Sequence, residues 1–409
     1  VETKLSFTSL LMNDYLPGVC TDIMFMDNTE LEPFFEKRQR FGGERIQRPV
    51  VTGRAAGSTI FHKDGGTLGT PASATKTIGY EDIKFIATSK EVSQHLLNVT
   101  KMKRLAYLEA VDFLVREAIE EQRNSMEKHF FADEGYLATC SSCASNSKTI
   151  TFPTGTNMDQ WEVGMAVSVL KKSNHTVDAG VASDIIATID VTNLQIVLTT
   201  GVATYTSIDS DYGVCALGSV TVADGNLTPN SLYDIINITD LHNIEVATYT
   251  NYISYIKDLS GPVELKGVQH VIDKLELRKH ARLDRLWGHD TLLEDYQFEL
   301  IDPRTIQQPG SGEMGTGSIY FKGRSKRRKK GEVLPIEALV YSNPDDRLWF
   351  IQDDTIECWY SAFNEWMADD TGKILHKITG TAGYECDLGS EYNFFAIERY
   401  KLGALDNIT

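Results

Sequence analysis

Residues 50–71 read VVTGRAAGSTIFHKDGGTLGTP. Five glycines, one arginine and a His-Lys-Asp triplet in this stretch admit two uses. Glycine-rich loops cradle phosphates, and they also serve where a chain must be thin and reach something. A phosphate-binding P-loop needs GxxxxGK followed by Ser or Thr at the start of a helix. Gly53 and Gly57 enclose three residues, and no Gly-Lys-Ser or Gly-Lys-Thr follows. The extended use remains. IQRPVVTG and STIFH read as extended segments, and KTIGYEDIKFIAT as a returning strand, with Ile78 and Tyr80 and then Ile83 and Phe85 alternating. Asp64-Gly65-Gly66 lies between them, where a turn requires positive φ. Few residues of 41–87 can form a core, so this hairpin must draw its apolar contacts from elsewhere.

Outward from the hairpin, residues 1–40 read as an arm with local helices, broken at Pro17-Gly18. Downstream, Thr88-Ser-Lys-Glu91 fits a capping box and predicts a helix start. After a break near Asn98–Thr100, Leu105, Leu108, Val111, Val115, Ile119, Met126 and Phe130 form an apolar stripe opposite Glu109, Arg116, Glu120, Arg123 and Lys128. The stripe predicts a helix of about 45 Å at 1.5 Å per residue, stopped by Gly135. Its heptad character is too weak for a coiled coil. Residues 146–218 then turn to threonine, valine and isoleucine. KTITFP, MAVSVLK, SDIIATIDVT, LQIVLTT and YGVCAL predict five short strands, a small barrel or sandwich inserted between helical regions. Helix is expected at 230–244 and 263–280. Strands follow at EDYQFELID, GSIYFKG, IEALVYS, RLWFIQ and TIECWY, with a turn at Asn343–Asp346, and then at KILHKITG, AGYECDL and YNFFAIERY. The class is α+β, not the regular βαβ of a dinucleotide fold.

The chain has 409 residues, which favours two or three domains. Forty basic against 57 acidic residues give a net charge of −17, a surface that repels nucleic acid at long range. No apolar run approaches the roughly 20 residues of a membrane span. VETKLSFTSL lacks a positive region followed by an apolar core, so no secretory signal is expected. Cysteines stand at 20, 140, 143, 215, 358 and 386, and only Cys140 and Cys143 are closely spaced. A zinc site needs a second pair or nearby histidines, and the next histidine is His175. A redox CxxC belongs at a strand-to-helix junction, whereas this one follows a long helix. Reduced bystander cysteines are the expectation.

His289-Asp290 with Glu294-Asp295 is the one pattern that suggests a metal-dependent hydrolase, and no second His-Asp cluster completes a two-metal site. Neither GxSxG nor HExxH occurs. No catalytic residue, metal or cofactor is therefore assigned, and no enzyme is expected. KGRSKRRKK, residues 322–330, holds seven basic residues in nine. Lys326, Arg327, Arg328, Lys329 and Lys330 are expected to touch an anion or a neighbouring subunit.

The order of parts resembles the major capsid proteins of tailed bacteriophages, which share the HK97-type fold with encapsulin nanocompartments. Thr52-Gly53-Arg54-Ala55-Ala56-Gly57 followed by Asp64-Gly65-Gly66-Thr67-Leu68-Gly69-Thr70-Pro71 is similar to the family's extended-loop pattern, with Pro71 three positions after Leu68 instead of next to it. LLMNDYLPGVCTDI and FFEKRQRFGGERI resemble the family's arm leading into that loop. The resemblance implies an N-terminal arm over 1–40, an extended loop over 41–87 and a peripheral domain with its spine helix over 88–145. It further implies an inserted β-barrel-like domain over 146–218, an axial domain over 219–365 and returning peripheral strands over 366–409. Arg54, Gly57, Phe61, Lys63, Asp64, Gly65, Gly66 and Leu68 would then form the subunit interface of the loop, with Lys63 a candidate donor in a Lys–Asn cross-link. The implied function is self-assembly, through hexamers and pentamers, into an icosahedral head shell enclosing double-stranded DNA without reading its sequence. The resemblance implies as partners a scaffolding protein, a portal and a decoration protein, with no membrane. The implied location is the virion, after assembly in the host cytoplasm. An encapsulin-like compartment shell is the alternative of the same fold. A metal-dependent hydrolase and a tail or adhesin protein are the alternatives of other classes.

Overall fold

The computed structural model describes residues 24, 31–35, 37–43, 45–53, 75–93, 104–143, 147–177, 181–200, 209–262, 265–293, 319–321, 334–368, 374, 376–378 and 383–408. The chain divides into two compact units. One comprises residues 1–46, 82–129 and 358–393, the other 47–81, 130–357 and 394–409.

The first unit is a sheet with one long helix. Helix α1 (Glu32–Phe35) leads into β1 (Gln39–Arg40), and β2 (Arg45–Gly53) and β3 (Thr75–Asp82) form a two-stranded sheet of their own, whose residues 47–53 and 75–81 belong to the second unit. β4 (Lys84–Ser93) precedes the long helix α2 (Arg104–Phe130). Three later strands complete the sheet: β18 (Ile356–Trp366), β19 (His376–Lys377) and β20 (Gly383–Ala396). Its order is β1-β18-β20-β19, with β4 also paired to β20. The β4–β20 ladder is antiparallel and runs from Gly383 opposite Ser93 to Tyr392 opposite Lys84.

This ladder corrects the capping-box reading of Thr88–Glu91, since residues 84–93 are strand. Exposure alternates along β4, with Phe85, Ala87, Ser89 and Glu91 outward. That period-two pattern and the ladder's backbone bonds outweigh a local cap. Helix α2 is present as expected, but its last turn is covered all round: Lys128, expected on the polar face, is buried with Glu127 and His129. Val115, Ala118, Ile119, Gln122 and Met126 are buried at helical spacing, while Arg116 and Glu120 face solvent. Gln122 donates to Ser390 Oγ (3.0 Å), and Lys90 of β4 pairs with Glu117 (2.8 Å) and with Glu121. Phe35, Phe363 and Tyr392 cluster with centroids 4.8–6.1 Å apart.

The second unit holds a barrel and an open sheet. The barrel uses β5 (Ala138–Thr139), β6 (Thr149–Thr151), β7 (Ala166–Lys171), β8 (Val181–Asp190), β9 (Gln195–Leu198) and β10 (Tyr212–Ala216), in the order β5-β10-β7-β8-β9-β6. Backbone bonds between Ser141–Ser142 and Thr151 (2.8–3.2 Å) join the segment after β5 to β6, so the ladder returns on itself. The five strands expected from sequence are present. The sheet also recruits β5, upstream of residue 146, because Leu137 and Ala138 supply core to it. Ile150, Val167, Val169, Ile196, Leu198 and Val214 are fully buried there. Past the end of α2, Asp133 and Tyr136 exchange two backbone bonds of 2.9 Å around Gly135. Gly135 has φ +84°, and a Cβ on it would lie 2.7 Å from Asn226 Oδ1.

A small ribbon of β11 (Val220–Thr221) and β12 (Gly225–Asn226) leads to helix α3 (Leu232–Asn237). This helix is far shorter than the expected 230–244. Ser231 and Asp234 close its N-terminus as a capping box, and the backbone turns extended at Ile238. The open sheet comprises β13 (Tyr255–Gly261), β14 (Arg285–His289), β15 (Ile319–Phe321), β16 (Leu334–Leu339), β17 (Leu348–Ile351) and β21 (Gly403–Ile408), in the order β13-β21-β17-β14-β16-β15. Helix α4 (Leu265–Asp273), continued by a π-helical turn through Arg278, packs Val268, Val271, Ile272 and Leu275 into the core with Leu286, Phe350 and Leu405. EDYQFELID lies outside the described residues. AGYECDL and YNFFAIERY, read as separate runs, are joined in the single 14-residue β20. Strand pairing divides 366–409 between the units, because β21 pairs with β13 and β17.

Candidate functional site

Arg54, Gly57, Phe61, Lys63, Asp64, Gly65, Gly66 and Leu68 lie outside the described residues, as do Lys326, Arg327, Arg328, Lys329 and Lys330. What is described is the stem that carries the first set, strands β2 and β3, and the groups that fix it. Thr52 Oγ1 lies 3.0 Å from Thr77 Oγ1 and donates to Thr75 O (3.4 Å), while Arg45 meets Asp82 (2.7 Å). Early residues of one strand face late residues of the other, so the stem is antiparallel. Val50 and Thr52 are buried, whereas Val51 and Ile78 are about half exposed, at 45% and 50%. The stem thus has one covered face and one open face.

Each strand of the stem is tied to the rest of the second unit by charge and hydrogen bonding. On β2, Arg48 makes a two-point contact with Glu357 at the start of β18 (Nε–Oε2 3.0 Å, Nη2–Oε1 2.6 Å). Glu357 is mostly buried and Arg48 about one-third exposed, and bidentate Arg–carboxylate geometry is the strong kind. On β3, Tyr80 N donates to His242 O (3.0 Å), and Glu81 Oε1 lies 2.7 Å from His242 Nδ1. Gly79 sits where a Cβ would fall 2.8 Å from Phe395 Cζ, so only glycine allows the stem this close approach. These anchors were not singled out from sequence. Arg48 and Glu357 are 309 residues apart, and Glu81 and His242 are 161 apart. The available signal was a charged residue inside the apolar run IQRPVV.

Of the residues behind the hydrolase alternative, His289 and Asp290 are described, whereas Glu294 and Asp295 lie outside the described residues. His289 Nδ1 lies 2.8 Å from Thr291 Oγ1 and 2.9 Å from Asp290 Oδ1, and its Nε2 is 3.8 Å from Asp159 Oδ2. Among the described residues, no three His, Cys, Asp or Glu side chains gather as metal ligands. Cys140, Cys143, Cys215, Cys358 and Cys386 are free and buried. Burial raises the thiols of Cys140 and Cys143, that of Cys215 to about 11 and that of Cys386 to about 12, which makes them poor nucleophiles. Among the described residues, no helix is long and apolar enough to cross a membrane.

A cavity of about 270 Å³ opens in the second unit, beside β5 and the Asn343–Arg347 turn. Its charged walls are Asp133, Asp346, Arg347 and Asp406. Arg347 is held between the rings of Tyr233 (4.8 Å) and Trp349 (4.7 Å) and donates to Asp406 (2.7 Å), while Lys172 pairs with Asp133. Burial, with the neighbouring Asp345 and Asp406 charges, pushes Asp346 up to about 6. The cavity's acids are largely matched by these two cations.

No family model matches the sequence, and no curated protein is significantly similar to it. The structure does resemble solved ones. It aligns with the cyanophage A-1(L) capsid asymmetric unit over 93% of this chain and 92% of that one, with a TM-score of 0.50 at 11% identity. The capsid of an empty GTA particle aligns over 93% and 91%, with a TM-score of 0.45 at 7% identity. The satellite phage P4 procapsid aligns over 100% and 98%, with a TM-score of 0.44 at 9% identity. The likeness to the cyanophage capsid establishes the fold: this chain has the phage capsid-protein fold, the HK97-type fold that its sequence resembles.

Proposed function

We propose that the protein is a major capsid protein that assembles, through hexamers and pentamers of itself, into an icosahedral head shell around double-stranded DNA. The observation that carries this reading is the end-to-end likeness to the cyanophage capsid, with nine-tenths of both chains aligned. The anchored hairpin stem supports it. A strand pair with one open face, prolonged by the glycine-rich stretch 54–74, suits contact with a second copy. Repeated head-to-tail contacts of this kind close into shells. The net charge of −17 fits an inner wall on which packaged DNA slides.

In this reading, residues 1–40 are an arm, 41–87 an extended loop and 146–218 an insertion that braces or decorates the shell. Arg54, Gly57, Phe61, Lys63, Asp64, Gly65, Gly66 and Leu68 contact a neighbouring subunit, and the basic run at 326–330 contacts a neighbour's acids. A scaffolding protein, a portal and a decoration protein are the further partners. The location is the virion, reached after assembly in the host cytoplasm.

The deciding experiment is negative-stain electron microscopy of the expressed full chain, alone and with co-expressed candidate scaffold. Closed shells or five- and six-membered capsomers are expected. A homogeneous monomer or dimer under both conditions would overturn the reading. DNA inside native particles distinguishes a head shell from a protein-filled compartment.

A further inference from the structure

The stem's most unusual fixture is His242. Its side chain is wholly buried, yet it is polar on both edges and stacked flat on Phe395, with centroids 4.0 Å apart and planes 8° apart. Nε2 accepts the Ala396 backbone N–H at 2.8 Å. A ring nitrogen that accepts carries no proton, so the single proton of the neutral ring is on Nδ1, directed at Glu81 Oε1 (2.7 Å). The backbone of His242 is itself constrained. It has φ +57°, in the left-handed region that disfavours side chains, and its carbonyl accepts from Tyr80 N. One residue therefore joins β3 of the stem to the end of β20.

We propose that His242 is a proton-controlled latch: the neutral ring holds the hairpin stem against the end of β20, and a second proton, on Nε2, releases that hold. The geometry dictates the switch. Protonation places an N–H on Nε2 opposite the N–H of Ala396, two donors where one bond stood. The Glu81 contact survives, but Ala396 and the ring must part. Parting them disturbs the Phe395 stack and the close seat of Gly79.

The groups acting on the ring are Glu81 on β3, which favours the added charge, and Arg399 just after β20, which opposes it. Tyr252 and Asp240 in turn face Arg399, and the Tyr252 hydroxyl donates to Ala396 O (2.7 Å). Burial is the largest influence and holds His242 below its ordinary value of 6.5. A histidine lowered by folding stabilises the fold fully above its unfolded value. That stability is lost progressively as pH falls below 6.5. The latch is therefore shut at neutral pH and opens on acidification. Its consequence, an acid-dependent setting of the hairpin's reach toward a neighbouring copy, rests on the capsid reading; the latch itself does not.

The test is hydrogen exchange by mass spectrometry on the dispersed full chain, expressed as protection factors, at about pH 7.5 and about pH 5. Protection of 75–81 and 394–398 is expected to fall at least about tenfold on acidification, while barrel strands β7 and β10 keep theirs. His242→Phe keeps the stack but loses both polar edges. It should show the low protection at both pH values and no pH response. Glu81→Gln removes the one group that favours the added charge. It should shift opening to lower pH, by about one unit, with the stem still closed at neutral pH. A stem whose protection ignores pH, or a pH response undiminished in His242→Phe, overturns the latch. The measurement needs no shells. Failure to assemble with an intact pH response would sink the capsid reading alone, and shells with a pH-blind stem would sink the latch alone.

Discussion

The barrel and the hairpin stem are both strand-built parts of one unit, yet they keep their places by opposite means. The barrel encloses its own apolar core, with Ile150, Val167, Val169, Ile196, Leu198 and Val214 all turned inward and its ladder closed. The stem covers one face and leaves Val51 and Ile78 open. It is held by directed polar ties, Arg48 to Glu357 and Glu81 to His242. Apolar burial is nondirectional and gives a part that is stable by itself. Charge-assisted bonds are directional and can be undone one at a time. The barrel is therefore suited to stay as it is, and the stem to be aimed.

The strongest way to break this comparison is to damage the barrel. Ile196 is fully buried in its core, and Ile196→Ala should cost about 2–5 kcal/mol through lost burial and the cavity left behind. Urea unfolding would read the loss, and exchange protection of 75–81 should not change. If the stem loosens as much as the barrel, the two are one cooperative body. The reciprocal change is Arg48→Ala. It leaves Glu357 mostly buried without its guanidinium, at a cost of about 1.5–3 kcal/mol. Here the stem should lose protection while the barrel keeps it. Arg48→Lys should recover only part, since an ammonium cannot make the two-point contact.

The same contrast explains what the sequence made legible. Helix α2 was readable because its stripe repeats at 3.6 residues over 27 positions, from Arg104 to Phe130. The five barrel strands were readable because threonine, valine and isoleucine cluster between glycines at local range. The helix start at Thr88 was misread because its cap is a local signal, whereas the β4 ladder is formed with residues near 390. The anchors Arg48 and His242 left almost no trace. Their partners are far away in the chain, and no spacing rule links a charge in one strand to a turn that far downstream. The glycine-rich stretch pointed to a reaching segment, and the stem beneath it is what the structure adds.

A smaller effect probes the turn beside the barrel. Asp346 is raised from 3.8 to about 6, so the folded state holds its proton more tightly than the unfolded chain. The sign follows: this group's penalty is absent below about pH 4, grows as pH rises, and is fully present above about pH 6. Asp346→Asn should stabilise the protein at pH 8 by about 1 kcal/mol, less than full linkage gives, because the carboxyl keeps some solvent access. Near pH 4 the two proteins should melt together. A stabilisation independent of pH would mean that shape, not charge, set the difference.

The smallest expected effect lies at the foot of the stem. Arg45 and Asp82 approach to 2.7 Å, as close as the anchors, but their side chains are 58% and 57% exposed. Arg45 holds the Asp82 carboxyl below its ordinary 3.8, so the pair contributes in full above about pH 4 and fades as pH falls through the lowered value. Exposed pairs are worth about 0–1 kcal/mol and weaken with salt. Arg45→Ala should therefore shift the melting temperature little, and less still at high salt, while exchange protection at 75–81 stays near that of the unaltered chain. Distance alone would rank this pair with Arg48 and Glu357; burial ranks it far below. If Arg45→Ala frees the stem as fully as Arg48→Ala, the foot of the hairpin holds it, and the buried ties at Glu357 and His242 only follow.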